Sequence, residues 1–216
     1  MEEEILPSAF KGIFIEKVKE VLNLTKARIM MYPFKSDFWL DIRGAFKQTE
    51  CDDDVLFDYY APFFYQGKTY WEGIARVAEA VNKRLKYATD LNIYGKAEYW
   101  ASPIQVHNTR LDDCDGSAVL LCRILRLLGL TEVEVFVANV QAMYIDGSPG
   151  ERHAVCLVFD KDTWQLFPLE GSWYGELSVR EFKEKLRPIG QNPRYKDIEW
   201  ITNDKLSFSE NWLKIL

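Results

Sequence analysis

A cysteine at a predicted helix start has the residue type and the position to do nucleophilic chemistry. Asp113 is a favourable N-cap, which places Cys114 at the first helical position, and Ala118, Leu121 and Leu125 continue a buried stripe from it. The free N–H groups and the positive dipole end of a helix favour a thiolate, whereas the flanking carboxylates oppose one. A cationic histidine partner would decide this contest for the thiolate. The alternative is a small apolar core residue at a helix start.

Few residues could be the histidine partner of Cys114, because the chain has two histidines. His153 begins a predicted strand to 159, the residues 160–163 form a turn, and a second strand follows from Trp164 to Leu169. With a two-residue loop at 161–162, His153 lies directly opposite Glu170, within reach of an imidazole–carboxylate hydrogen bond. Such a carboxylate fixes the tautomer of the ring and stabilises its cation. The alternative is a structural histidine at a strand end.

The residue spacing predicts no metal site and no cofactor. Zinc bound by His107, Cys114, His153 and Cys156 is disfavoured, because no pair of these residues has the spacing of a zinc-binding helix and no CxxC pair exists. The acidic run 52–54 lacks the alternating ligands and the glycine of a calcium-binding loop, so we expect a solvated turn there.

The elements that must position these residues predict an α+β domain with an antiparallel sheet packed on a central helix. The expected helices span 8–24, 71–89, 114–128, 178–186 and 209–216, and the expected strands span 133–140, 153–159 and 164–169. The segment 28–70 is irregular and aromatic, and Pro103 excludes a helix where it stands. We therefore expect one domain with an N-terminal extension (1–70), a catalytic core (71–171) and a C-terminal helical segment (172–216).

Composition narrows the function classes. The 216 residues are 48 % hydrophobic and 28 % charged, which excludes a disordered chain. Acidic residues outnumber basic ones by 33 to 27, so no nucleic-acid partner is expected. The acidic start Met1–Glu4 and the lack of a long apolar run predict no leader and no membrane association, hence a cytoplasmic protein with free thiols. The oligomeric state is not predicted.

Several motifs together resemble the transglutaminase-like superfamily, whose members share a papain-like fold. The resemblance covers about residues 71–171. Its most specific parts are Asp113-Cys114-Asp115 and the later His153-Ala154. The other matching segments are 87–90, 98–103, the helix to Gly129 and the strand 164–170. It implies Cys114 as nucleophile, His153 as general base and acid, and Glu170 as third member. The family more often has glycine where Asp112 stands and Asp as the third member, so Asp162 and Glu176 stay open as substitutes for Glu170.

The resemblance also implies an oxyanion hole upstream of the cysteine. Gln105 resembles the upstream glutamine of papain-like enzymes, and Trp100 resembles the tryptophan that transglutaminases use; both are retained as candidates. Trp100, Asp113 and Trp173 are the predicted substrate-binding residues. The predicted function is a cysteine peptidase or amidase that hydrolyses a peptide, isopeptide or related amide in a protein or peptide substrate. The alternatives are a protein-glutamine transglutaminase and a catalytically inactive binding domain.

Overall fold

The structure is a computed structural model that describes residues 45, 52–132, 134–163, 165–169, 183–184, 186–189, 191–204, 206–209 and 212–215. The predicted helix 8–24, the beginning of the predicted helix 178–186, Trp164, Glu170 and Trp173 lie outside the described residues. No helix in the described part of the chain is long and apolar enough to cross a membrane.

In the described part of the chain five helices precede the large sheet, and three of them were not predicted from the sequence. They are α1 (Asp53–Tyr65), α2 (Tyr70–Arg84), α3 (Asp90–Tyr94), α4 (Pro103–Thr109) and α5 (Cys114–Leu127). The helix α1 occupies a segment that we expected to be irregular, because its internal Pro62 and its aromatic residues hide the helical period. Two acidic residues in its first turn complement the helix dipole, and Leu56, Tyr60 and Ala61 form its buried face.

The expectation that Pro103 excludes a helix is wrong. Pro103 is the first residue of α4, where its missing N–H is harmless and its fixed φ suits a helix. Ser102 caps this helix: its hydroxyl accepts a hydrogen bond from the Gln105 backbone N–H, and the Gln105 side chain accepts one from the Ser102 N–H at 2.9 Å. This reciprocal capping box fixes where α4 begins.

Two sheets follow from the described strands. A small parallel pair joins β1 (Lys86–Tyr87) to β2 (Leu111–Asp112). The large sheet is antiparallel and consists of β3 (Val135–Met143), β4 (Pro149–Asp160), β5 (Gln165–Leu169), β6 (Tyr195–Thr202), β7 (Leu206–Ser209) and β8 (Trp212–Ile215). The order of the strands across this sheet is β5-β4-β3-β6-β7-β8.

The three predicted strands are therefore confirmed, but the predicted C-terminal helix over 209–216 is wrong. This part of the chain pairs as a β7–β8 hairpin at the sheet edge, beyond β6. Eight residues are too few for periodicity alone to separate a helix from a strand, and pairing with the sheet decides between them.

The β4–β5 hairpin corrects the predicted register by two residues. Cys156 lies opposite Leu169 and Asp160 lies opposite Gln165, so the loop has four residues, 161–164, rather than two. The Asp160 carboxylate stabilises this longer loop by accepting hydrogen bonds from the Thr163 hydroxyl at 2.5 Å and from the Lys183 ammonium at 2.8 Å. A shift of two residues preserves which side chains share a face, although it removes the direct opposition of 153 and 170.

The sheet separates two hydrophobic cores. Ala154, Cys156 and Val158 of β4 face the core that contains α5, whereas Val155 and Leu157 face a second core with Ile189, Tyr195 and Ile198. The α5 residues Val119, Leu120, Ile124 and Leu125 are fully buried, each worth about 2 kcal/mol or more of stabilisation. This packing holds the first turn of α5 against β4.

Candidate active site

A short parallel strand pair brings the end of α2 beside the beginning of α5. Strand β1 follows α2 directly and pairs with β2, with Tyr87 opposite Asp112. The backbone N–H of Ala88 also donates to the Asp112 carbonyl at 3.1 Å. Since β2 leads straight into Asp113 and Cys114, residues far apart in sequence meet at the start of α5.

The predicted position of Cys114 is confirmed. It is the first residue of α5, and the N-cap Asp113 accepts a hydrogen bond from the Asp115 N–H at 3.3 Å. Burial and, to a smaller extent, the Asp113 and Asp115 carboxylates raise the pKa of the Cys114 thiol to about 12, against the lowering effect of a hydrogen bond from the Ala154 N–H. The helix start alone therefore does not generate a thiolate, and a base is needed beside it.

The Cys114 thiol opens into a cleft of about 180 Å³ that His153 also lines. The other lining residues are Asn82, Leu85, Tyr87, Asp112, Asp113, Ser117, Ala118, Ala154, Val155, Cys156 and Leu169. The predicted nucleophile and the predicted base thus line one concave site, an arrangement that acyl-transfer chemistry needs.

His153 lies on β4 opposite Val140 and is half-buried. Its imidazole ring stacks on the buried Tyr195 ring, with the ring centroids 5.9 Å apart and an interplanar angle of 11°. Tyr195 was not a candidate from the sequence, because it lies 42 positions later on a strand that the sequence did not predict.

The second histidine is placed elsewhere, in a polar contact among the helices. His107 is buried on α4, with Nε2 3.1 Å from the Arg84 guanidinium and Nδ1 3.3 Å from the Tyr60 hydroxyl. It is not among the residues that line the cleft. His107 is therefore separate from the cleft, and the role of His153 as the partner of Cys114 stays a prediction.

The other predicted site residues fall into three groups. Asp113 lines the cleft. Gln105 and Trp100 do not: the Gln105 side chain is engaged in the α4 capping box and lies 3.5 Å from the Tyr99 hydroxyl. Glu170 and Trp173 lie outside the described residues, so their roles stay predictions.

Four carboxylates converge beside the first turn of α5, a feature that the sequence analysis did not find. One oxygen atom from each of Asp90, Asp112, Asp113 and Asp115 lies within 4.8 Å of the others, and three of these side chains are buried. Asp90 stands 22 positions before Asp112, and only the β1–β2 pairing brings the two together. No local spacing could have revealed this acidic cluster.

Hydrogen bonds and a glycine fix the carboxylates of the acidic cluster. Asp112 accepts from the Asp113 N–H at 2.8 Å and from the Tyr94 hydroxyl at 3.1 Å, and Asp90 accepts from the Tyr99 N–H at 2.6 Å. A Cβ atom at Gly116 would overlap the Asp112 carboxyl group, so this position requires glycine. The cluster is therefore an organised part of the fold.

The charges in the acidic cluster repel one another. Burial, followed by the neighbouring Asp113 and Asp90 carboxylates, raises the pKa of Asp112 to about 7. Burial and a side-chain hydrogen bond with Asp113 raise the pKa of Asp115 to about 10. Without a counter-charge, Asp115 is therefore protonated at neutral pH.

The donor set of the acidic cluster fits a divalent cation. All its ligand atoms are carboxylate oxygens, which are the donors that Ca²⁺ and Mg²⁺ prefer. The Asp90 Oδ1 atom is buried and has no hydrogen-bond partner among the described residues. An orphaned anionic oxygen beside three other carboxylates is costly unless a cation compensates it.

The structure is thus an α+β protein in which a helix begins at a cysteine and packs on an antiparallel sheet that carries a histidine. The model of the family described as bacterial transglutaminase-like cysteine proteinase (BTLCP) matches residues 46–163, and the chain belongs to this family. The predicted superfamily and fold class are thus confirmed.

Solved structures agree on the fold. A structure of Legionella pneumophila LapG has a TM-score of 0.54 at 14 % identity, over 92 % of this chain and 88 % of that one. EGTA-treated LapG has a TM-score of 0.52 at 15 % identity, over 92 % and 89 %. Calcium-bound LapG, at a TM-score of 0.45 and 16 % identity over 91 % and 90 %, adds no support for the fold. A comparison with curated protein sequences gave no significant match.

Proposed function

We propose that this protein is a cysteine peptidase that hydrolyses an amide bond of a peptide or protein through an acyl-enzyme on Cys114. The observation that carries the proposal is the shared cleft, which Cys114 at the start of α5 and His153 on β4 both line. Membership of a cysteine proteinase family supports the same reaction class.

The reaction begins with proton transfer from Cys114 to His153, because the thiol of the free enzyme has a pKa far above neutral. The thiolate attacks the carbonyl carbon of the substrate, a C–S bond forms, and the carbonyl electron pair moves to oxygen. When the carbonyl re-forms, the C–N bond breaks and the leaving amine takes the proton from His153. Water, activated by His153, then hydrolyses the thioester and regenerates the thiol.

Glu170 is the proposed third member, which orients the His153 ring and stabilises its cation. Its support is the position directly after Leu169, the last residue of β5, which lines the cleft. In the described part of the hairpin, odd positions of β4 lie opposite even positions of β5, which is the parity that this role needs. Asp162 and Glu176 are the competing acids.

Water is the proposed acceptor of the acyl group, because hydrolysis needs no second specific site. A protein-glutamine transglutaminase would need an amine to reach the thioester before water does, and an inactive binding domain would need no reactive thiol. We also propose a cytoplasmic location and a single domain, as the sequence predicts.

Calcium is the proposed ligand of the acidic cluster, held by Asp90, Asp112, Asp113 and Asp115. The buried, unpartnered Asp90 oxygen and the oxygen-only donor set support this proposal. When bound, the cation supplies positive charge that stabilises the ionised form of these carboxylates beside the first turn of α5.

Peptidase activity is tested with a mixed peptide library, read by mass spectrometry, on the wild type and two variants. We expect new peptide termini with the wild type and none with Cys114→Ala or His153→Ala. Cys122→Ala is the matched control, because Cys122 is buried in the same helix and outside the cleft. Equal cleavage by wild type and Cys114→Ala would contradict the proposal.

Calcium binding is tested by titrating CaCl2 in a calorimeter and by the shift in the unfolding temperature. We expect Asp90→Asn to weaken binding at least about 10-fold, since it removes one anionic ligand. Asp146→Asn, at an exposed carboxylate on the β3–β4 turn, should bind as the wild type does. Wild-type binding by Asp90→Asn would exclude the acidic cluster as the site.

A further inference from the structure

Acyl transfer on Cys114 needs hydrogen-bond donors for the oxygen that becomes negative when the thiolate attacks. The backbone N–H of Cys114 is one donor, because the first helical residues have no intrahelical partner for their N–H groups. A single backbone donor is a minimal oxyanion hole, and acyl-transfer sites add a second donor from the backbone or from a side chain.

Among the described residues that line the cleft, Asn82 has a side-chain amide. This residue lies in the last turn of α2, which the β1–β2 pairing holds beside Asp112 and the start of α5. It lines the cleft together with Cys114 and His153, and it is half-buried. No local pattern singles it out, since it stands 32 positions before the cysteine.

The Asn82 amide is available to a ligand in the cleft. In the described part of the chain it has no hydrogen-bond partner, whereas the Gln105 side chain is committed to the α4 capping box. An amide presents two N–H donors that carry no charge, so it can approach a developing oxyanion beside the acidic cluster without titrating.

Two hydroxyl groups also line the cleft, on Tyr87 and Ser117. The Tyr87 side chain is 76 % exposed, so water competes for its hydrogen bonds. Ser117 lies one turn into α5 behind Cys114, where a hydroxyl commonly bonds to the helix backbone. Asn82 is therefore the donor best placed to act.

We propose that Asn82 is a further catalytic residue, whose side-chain N–H donates to the oxyanion formed when Cys114 attacks the carbonyl group. In that step the C–S bond forms, the carbonyl π-electron pair moves to oxygen, and the Asn82 and Cys114 N–H groups bind that oxygen without giving up their protons. The inference rests on the proposed function, since it concerns the same nucleophile.

The experiment separates oxyanion binding from thiol reactivity with two probes. Acetylation by p-nitrophenyl acetate passes through a tetrahedral oxyanion, whereas alkylation by iodoacetamide displaces iodide and forms none. Both rates are measured at Cys114 by peptide mapping, with Cys114→Ala as the background. The variants are Asn82→Ala and Asn82→Asp, with Asn108→Ala as a matched amide control on the exposed face of α4.

We expect Asn82→Ala and Asn82→Asp to acetylate Cys114 about 10²–10³-fold more slowly than the wild type while alkylation stays within 3-fold. Asn108→Ala should match the wild type with both probes. Acetylation of Asn82→Ala within 3-fold of wild type would overturn the inference, as would a parallel fall in alkylation. A 10²-fold loss confined to Gln105→Ala, Trp100→Phe or Ser117→Ala would assign the donor elsewhere. A wild type that neither acetylates nor alkylates at Cys114 would instead refute the proposed function itself.

Discussion

The buried His107 should make the stability of the fold depend on pH in a defined window. Arg84 can only donate hydrogen bonds, so His107 Nε2 must accept from it, and Nδ1 then carries the proton that faces the Tyr60 hydroxyl. Burial, followed by the charges of Arg84 and Arg110, lowers the pKa of His107 to about 4. Protonation removes the acceptor that Arg84 uses.

The direction and size of the effect follow from this pKa. The unfolded chain holds the histidine proton at its ordinary pKa of about 6.5, so the unfolded state binds more protons between pH 6.5 and pH 4. The contribution to stability is therefore fully present above pH 6.5 and is lost as the pH falls toward 4. Between pH 7 and pH 4.5 the loss from this one group is about 2 kcal/mol.

Urea unfolding of the wild type and of His107→Gln at pH 7 and pH 4.5 measures this loss. Glutamine keeps a donor and an acceptor in the site but does not titrate. When the pH is lowered from 7 to 4.5, the free energy of unfolding of the wild type should fall by about 2 kcal/mol more than that of the variant. Other titrating groups, such as Asp112, contribute equally to both proteins and cancel in the comparison.

A difference between the two proteins that is the same at both pH values would refute the argument, because it would show that His107 titrates normally in the folded state. Arg84→Met provides a second check. Removing the neighbouring charge raises the pKa of His107 toward its usual range, so the pH-dependent loss should shrink in this variant.

Three further predictions concern the site. Gly116→Ala should lower stability by about 1–3 kcal/mol and weaken calcium binding, because its methyl group displaces the Asp112 carboxyl. Thermal unfolding and CaCl2 titration measure the two effects. Gly150→Ala is the control and should show neither effect, because a Cβ atom there makes ordinary contacts. Glu170→Ala should reduce peptidase kcat/KM by about 10²-fold or more while Glu170→Asp retains more activity; a loss confined to Asp162→Ala or Glu176→Ala would transfer the role. Substrate incubated with a millimolar fluorescent amine should be mainly hydrolysed, as the ratio of cleaved to labelled product will show, and a dominant labelled product would indicate a transglutaminase.

The helix that begins at Cys114 could be predicted because its signals are local. Asp113 as N-cap and the apolar stripe behind Cys114 lie within four turns of one helix, and the structure gives α5 as expected. The preference for His153 over His107 rested on a strand expected to begin at 153; in the structure His153 lies inside β4 (Pro149–Asp160), and its role stays a prediction.

Features that depend on pairing distant segments could not be predicted in this way. The β1–β2 pair has two residues in each strand, yet it brings Asn82 and Asp90 to the first turn of α5. The predicted register of the β4–β5 hairpin was wrong by two residues. The hydrogen bonds of Asp160 with Thr163 and Lys183 favour a longer loop than the turn residues suggested.

The secondary structure predicted at Pro103 and in the short C-terminal segment was wrong, for different reasons. Pro103 breaks a helix interior but favours a helix start, and the choice depends on Ser102 and Gln105 around it. The residues 206–215 have no hydrophobic period that separates a helix from a strand. They form strands because β7 pairs with β6 and β8 pairs with β7.

The central claim is that Cys114 is a nucleophile activated by His153, and selective alkylation tests it most directly. Burial raises the pKa of the Cys114 thiol to about 12, so this residue should be inert near neutral pH unless His153 accepts its proton. Iodoacetamide at pH 6.5, followed by peptide mapping, should label Cys114 ahead of Cys51, Cys122 and Cys156 in the wild type. The label should fall to background in His153→Ala. Equal labelling of Cys114 in the wild type and in His153→Ala, or none in either, would contradict the account.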